Sequence, residues 1–320
     1  VTIQPADLER IASFWRIRPR RVRPERAVAG SPERVLSRLV LEDEGGALWI
    51  LEEVVPAAAR QKQRQAEILH GLKRAGLQSV HPYLRNRSGC WIAGEEEHGW
   101  MLRPFVEGVP PTRPDYAFDP WRGEAMGTFL RALRRASGSL SPEIQGPPFP
   151  LEAFIRDLLE RIRHRDPGLL PGLGPAVRYL ESRLFPVLDG LPTAFCHGDY
   201  HPLNVIWSEE AIRSVIDWEF CGLKTEACDA ALLLGCIGME DPRALAGPFA
   251  PAFLAEVRRE GLLSRASLSH LFALVVAVRF LWLSEWLRGR DRDMVRLEVD
   301  YLDLLLSNER VIRKGWELPS

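Results

Sequence analysis

Residues 194–220 read Ala-Phe-Cys-His-Gly-Asp-Tyr-His-Pro-Leu-Asn-Val-Ile-Trp-Ser-Glu-Glu-Ala-Ile-Arg-Ser-Val-Ile-Asp-Trp-Glu-Phe. The stretch gathers His197, Asp199, Asn204 and Asp217, four polar residues of catalytic type, into one short unit. Val205–Trp207 is a short apolar run, Ser208–Ala211 a polar turn and Ile212–Ile216 a second apolar-rich run, a pattern that predicts a β-hairpin. A hairpin folds its ends back beside each other. The spacing therefore predicts Asn204 and Asp217 at one edge, with oxygens able to share a cation. Asp199 precedes Asn204 on a tight loop that starts at Gly198. Read blandly, Asp199 and Asn204 would only cap backbone groups in a buried turn.

His197-Gly-Asp199-Tyr-His-Pro-Leu-Asn204 resembles the catalytic loop of the aminoglycoside phosphotransferase and choline kinase families, relatives of the protein kinases. The general kinase pattern is His-x-Asp, four residues, then Asn. Ile216-Asp217-Trp218-Glu219 resembles those families' version of the Asp-Phe-Gly metal motif. Both halves occur in the right order, with a hairpin between them.

A length of 320 residues fits one large or two modest domains. Hydrophobic residues make up 46% and charged residues 27%, within the ordinary range of globular proteins. The net charge of −1 gives no case for nucleic acid or an anionic membrane as partner. No basic segment followed by an apolar one opens the chain, and no long uninterrupted apolar run occurs, so the expectation is a cytoplasmic protein. The five cysteines, Cys90, Cys196, Cys221, Cys228 and Cys236, contain no Cys-x-x-Cys pair and read as buried thiols of a reducing compartment.

Along the chain, residues 5–15 have helical spacing. The arginine- and proline-rich run Arg16–Arg26 reads as a solvated loop leading into a first strand. Val35–Glu42 and Ala47–Val55 flank a Glu44-Gly45-Gly46 turn and predict a hairpin. Pro56–Ala75 reads as a helix, and Gly89–Ala93 with Gly99–Phe105 as a second hairpin. Prolines 110, 111 and 114 mark a break. Helical patterns then cover Gly123–Ser137, Leu151–Arg165, Pro175–Leu188, Ala227–Gly238, Pro248–Gly261, Leu268–Leu287 and Asp291–Arg313. The division expected is 1–105 and 106–320.

The resemblance implies an α+β, two-lobed protein-kinase-like fold, with a small β-rich N-lobe for nucleotide and a larger, mainly helical C-lobe for catalysis and substrate. It implies an ATP- and Mg²⁺-dependent phosphotransferase acting on a hydroxyl of a small molecule: an aminoglycoside, a choline-like alcohol, homoserine or a sugar. Asp199 would be the base and His197 its loop brace, with Asn204 and Asp217 as metal ligands. His201, Glu219 and Asp229 are secondary positions, Asp229 as an anchor of the loop or a helix N-cap. The loop Gly30–Val35, with Ser31, would cover phosphate. Arg103 to Glu107, including Phe105, would offer backbone groups to adenine. Kinase-like folds also carry a strand lysine paired with a helix glutamate. In Leu48-Trp49-Ile50-Leu51-Glu52-Glu53-Val54 that position falls on Glu52, and the following helix offers Glu67, Lys62 and Arg64.

The inversion predicts that Glu52 pairs with Lys62 or Arg64, and that Glu52→Lys would tighten nucleotide binding. It also leaves open a non-catalytic binding protein or nucleotidyl transfer. Eleven residues separate Asp217 from Asp229, too few for a peptide-docking segment, which favours a small acceptor. Trp282 and Trp286, four apart on one predicted helix face, and acidic residues near them read either as an acceptor surface or as core plus solvated charge.

Overall fold

The computed structural model describes residues 5–26, 35–95 and 98–319. The loop holding Ser31 lies outside the described residues. α1 (Pro5–Ala12) leads through a 3-10 turn into β1 (Pro19–Val22), followed by β2 (Val35–Asp43), β3 (Leu48–Val54), α2 (Ala59–Arg74), β4 (Ala93–Glu95) and β5 (His98–Pro104). The strands form one antiparallel sheet in the order β1-β2-β3-β5-β4.

The arginine-rich run is not a plain loop. Pro19–Val22 adds an edge strand to β2, a place that tolerates proline. Arg20, Arg21 and Arg23 converge on Glu42 of β2, which gives the run its fixed place. The β2–β3 turn closes at Gly46, whose φ of +83° suits glycine.

Side chains alternate across β3 with period two. Leu51 joins Leu8, Ile11, Trp15, Trp100 and Leu102 in one apolar cluster beside α1. Glu52, on the opposite face, points at α2, where Lys62 lies 3.4 Å away. α2 buries Lys62, Gln65, Ala66, Leu69 and Leu72, the spacing of one helix face.

The rest of the chain is mainly helical: α3 (Pro120–Ser137), α4 (Pro142–Gln145), α5 (Leu151–Arg165), α6 (Leu170–Arg183) and α7 (Phe185–Leu188). β6 (Thr193–Cys196), the hairpin β7 (Val205–Trp207) and β8 (Ile212–Val215), and β9 (Gly222–Thr225) come next. α8 (Cys228–Glu240), α9 (Phe249–Arg258), α10 (Arg265–Ser269), α11 (Leu271–Gly289), α12 (Arg292–Ser307) and α13 (Glu309–Gly315) complete it. α6 begins five residues before Pro175, because buried Leu173 continues the stripe of Ala176 and Leu180. The last predicted helix divides at Asn308 into α12 and α13. β6 pairs antiparallel with β9, so residues 197–221 form one excursion between two paired strands.

The chain forms two compact units, Val1–Val109 with Ala136–Ile144 and Ile206–Glu219, and Pro110–Arg135 with Gln145–Val205 and Phe220–Ser320. The expected cut at 105 therefore misses two returning segments. Backbone bonds explain one of them: Val215 N–H donates to Ser79 O at 2.9 Å, and Val109 N–H to Trp207 O at 2.9 Å. In the second unit α8 and the first half of α11 are buried nearly all round. Cys196, Cys221 and Cys228 are buried, but Cys90 is exposed, since it sits in the turn after Asn86 rather than in a strand. Among the described residues no helix is long and apolar enough to cross a membrane.

Candidate active site

The loop after β6 is built around Asp229. This residue lies in the first turn of α8, and both its oxygens reach back to the loop. Oδ2 accepts the N–H of His197 at 2.7 Å and Oδ1 that of Gly198 at 2.8 Å. Asp229 is therefore a loop anchor, and its carboxylate does not cap α8. Burial pushes its carboxyl up, against the opposing effects of the His197 charge and these two amides. Gly198 has φ +85°, and a Cβ there would stand 2.3 Å from Phe220 O.

His197 is fully buried and its Nδ1 accepts the Asp199 N–H at 3.2 Å. That bond ties its ring to the backbone of the loop. Asn204 Nδ2 donates to the Asp199 carbonyl at 2.9 Å and to its Oδ2 at 2.8 Å. The Asn204 amide oxygen is left as the acceptor end, a hard donor suited to Mg²⁺. His201 Nε2 lies 3.6 Å from Asp199 Oδ1. Burial pushes Asp199 up, but His201, His197 and the Asn204 amide outweigh it and hold the carboxyl below its usual range. Asp199 is thus a partly exposed carboxylate, ionised at neutral pH. The His201 ring meets Trp282 at 5.7 Å between centroids, and Trp282 stacks on Trp286 at 5.6 Å. Sequence spacing paired the two indoles but gave no sign of the histidine contact. Trp286 Nε1 donates to Glu298, which is buried and ion-paired with Arg279, so Glu298 is a core group, not a surface charge awaiting an amine.

In the first unit, Asp217 follows β8 with φ +61°, a left-handed conformation that aspartate tolerates better than most residues. Glu219 is held from α2: Gln61 Nε2 donates to its carbonyl at 3.2 Å, and Lys62 Nζ lies 3.8 Å from its carboxylate. Lys62 thereby touches two carboxylates, and the second is Glu52.

Glu52 is fully buried and surrounded by donors. Arg38 of β2 lies at 3.0 Å, Arg103 of β5 at 3.3 Å, Lys62 at 3.4 Å and the Tyr83 hydroxyl at 2.7 Å. Burial alone would push its carboxyl up, yet Arg103, Lys62 and Arg38 bring it down to about 2. Lys62 is one of the two partners the sequence offers. Arg64 instead donates to Ile144 O at 2.8 Å, and Glu67 is exposed on α2, outside this cluster. The two arginines and the tyrosine were missed, although Arg38 stands directly across from Glu52 in the strand register. Beside Asp217 this cluster leaves a space of about 20 Å³, room for a single water. Arg103 is the most exposed of the three cations, at 15%. The Phe105 N–H donates to Leu48 O at 2.9 Å, extending the sheet one residue beyond β5.

The sequence model of the phosphotransferase enzyme family matches residues 36–264, and the chain belongs to that family. Its relatives include the homoserine kinase of Rhodopseudomonas palustris strain BisB5, 32% identical over 55% of this chain and 53% of that protein. The homoserine kinase of R. palustris strain CGA009 is 28% identical over 70% of this chain and 68% of that protein. The chain thus matches about half the length of the first relative. Among solved structures it is similar to amicoumacin kinase hAmiN in complex with AMP-PNP, Ca²⁺ and Ami, with a TM-score of 0.69, 17% identity and 94% of each chain covered. It is also similar to the GDP complex of aminoglycoside 2'-phosphotransferase-IIIa, with a TM-score of 0.65, 16% identity, and 96% and 100% covered. At such identities the likeness is one of fold, the protein-kinase-like α+β fold that the sequence predicts.

Three outcomes follow from this chemistry. Glu52 titrates near 2 when folded against an ordinary 4.5, so its contribution is fully present above pH 4.5 and is lost as pH falls toward 2. Glu52→Gln should cost about 3–5 kcal/mol at neutral pH by leaving buried cations uncompensated, and should flatten the acid limb of stability. Urea unfolding across pH measures both, and parental stability at neutral pH would count against the cluster. Glu52→Lys, which the sequence alone favours, should unfold the first unit by adding a fourth buried cation. Separately, Asp229→Ala should release two loop amides and lower stability by about 2–4 kcal/mol, read by the same unfolding; a loss under about 0.5 kcal/mol would sink the anchor.

Proposed function

We propose that this protein transfers the γ-phosphate of ATP to the hydroxyl of a small molecule, with an amino alcohol of the homoserine type as the favoured acceptor. The observation that carries the reading is Asp199: an ionised carboxylate, partly exposed, held by Asn204 and His201 on a loop anchored by buried Asp229. The homoserine kinase relatives support the acceptor class.

Phosphoryl transfer asks mainly for positioning and charge neutralisation. Asp199 accepts a hydrogen bond from the acceptor hydroxyl and orients it. As that oxygen bonds to the γ-phosphorus, the bond to the β–γ bridging oxygen breaks, ADP leaves and the hydroxyl proton passes to Asp199. Asn204 and Asp217, both hard oxygen donors, would hold Mg²⁺, which neutralises phosphate charge. Arg103 is the cation proposed to meet phosphate oxygens. Lys62 keeps α2 tied to Glu52 and Glu219. The segment between Asp217 and Asp229 is consumed by a 3-10 turn at Trp218–Phe220 and by β9, consistent with a small acceptor and not a docked peptide.

A second reading, a kinase-like binding protein without catalysis, is favoured by the narrow space beside Asp217. Thermal shift with ATP, with and without Mg²⁺, separates the two, and ADP release with homoserine tests the first. Asp199→Asn should keep nucleotide binding and lower turnover by roughly two to four orders of magnitude. Turnover within a few-fold of the parent would remove Asp199 from its role. Asp217→Ala should abolish the Mg²⁺ dependence of the ATP-induced shift, and an unchanged Mg²⁺ titration would take Asp217 out of the metal site.

A further inference from the structure

A cavity of about 1050 Å³ opens where four helix ends of the second unit meet. The C-terminal ends of α5 and α11 and the N-terminal ends of α6 and α12 wall it. Its floor is apolar, with Leu158, Ile162 and Val295 buried beneath it. Its rim carries Arg161, Arg165, Arg288, Arg290, Arg292 and Arg296 against a single carboxylate, Asp166. None of the residues of the loop after β6 lines it.

Ordinary structural roles explain part of this rim. Arg165 and Arg288 lie in the last turns of α5 and α11, where a cation complements the helix dipole. Arg288 is paired with Glu285, and Arg161 Nε donates to Asp157 O at 3.4 Å. Arg165, Arg290, Arg292 and Arg296 have no ion pair or side-chain hydrogen bond among the described residues. Other arginines of the unit, such as Arg113, Arg131 and Arg279, sit on carboxylates.

Arg292 and Arg296 are the harder pair. They open α12, at the positive end of its dipole, and stand one turn apart as like charges, two placements that cost stability. Among the described residues the acidic residues of the same turn form no ion pair with them. Asp291 caps α12 by accepting the Met294 N–H at 3.0 Å, and neither Asp291 nor Asp293 lines the cavity. The guanidiniums of this helix start line the cavity and its carboxylates do not. Cations kept at a local cost, over an apolar floor, are the arrangement of a site that awaits an anion.

We propose that this cavity binds a small organic anion, a phosphate or carboxylate carried on an apolar body, at a site separate from the loop after β6. The volume matches small-molecule sites, which are mostly apolar with a few placed polar groups. Guanidinium forks take carboxylate and phosphate oxygens in pairs. The arginines are exposed, so binding should weaken as salt rises.

Calorimetric titration with 1-naphthyl phosphate, 1-naphthol and inorganic phosphate tests this on the full chain. The naphthyl phosphate should bind about tenfold or more tighter than either fragment, since each engages only one half of the site. The double variant Arg292→Glu/Arg296→Glu should lose that affinity about tenfold or more while its melting temperature stays at or above the parent's, since carboxylates suit the start of α12. Arg310→Glu, an exposed arginine on α13, serves as the control and should leave it intact. No saturable binding at millimolar concentration, or equal losses in the variant and the control, would overturn the proposal. So would an acidic peptide or an oligonucleotide whose binding, and not that of naphthyl phosphate, depends on Arg292 and Arg296.

Discussion

The loop after β6 depends on one buried carboxylate. Asp229 is carried on α8, a helix apolar on nearly every side, so packing holds its position independently of its polar contacts. Burying a carboxylate is costly, and two backbone N–H donors at 2.7 and 2.8 Å offset much of that cost. Those amides belong to His197 and Gly198, which start the loop. The rest follows by short steps: His197 Nδ1 holds the Asp199 amide, and Asn204 holds the Asp199 carbonyl and carboxylate. Each step is a hydrogen bond of ordinary length, and each fails if the helix start moves.

The first unit solves a related problem with the opposite charge balance. A carboxylate on the central strand, with both sheet faces covered, would normally be expelled or protonated. Glu52 stays ionised because three cations reach it from β2, β5 and α2. The arrangement inverts the strand-lysine and helix-glutamate pair that the sequence resemblance implies. One lysine facing one glutamate is neutral, whereas three cations facing Glu52 leave a surplus. Lys62 spends part of that surplus on Glu219, and Arg103 faces the Asp217 side of the cluster. The inversion therefore need not strip the region of positive charge.

Much of this was legible in the residues. The β7–β8 hairpin could be read because its turn is polar and its strands short and apolar. The Glu52–Lys62 pair could be read because a carboxylate in an apolar strand demands a cation. What escaped reading was chiefly long-range. β6 and β9 are four residues each and pair across an excursion that no local pattern announces. Pro19–Val22 is a strand only because Glu42 and the free edge of β2 receive it. Arg38 and Arg103 approach Glu52 through sheet register, which spacing along one strand cannot supply.

Net charge was the least informative quantity of all. A value of −1 describes a sum, while binding responds to charge within about a Debye length, roughly 8–10 Å. Within that range this chain is far from neutral in several places. Glu52 sits among three cations, Glu298 and Arg279 neutralise each other inside the core, and six arginines crowd one set of helix ends. Only the second of these is self-sufficient, because the two opposite charges pair inside the core, with Trp286 and Cys236 completing their contacts. The other two carry a surplus of one sign beside open space. A folded chain that needed charge only for solubility would have no reason to sort it so, since interspersed signs serve solubility at lower electrostatic cost. The expectation drawn from net charge averages over the whole chain and does not extend to a cavity whose rim is built from guanidinium groups.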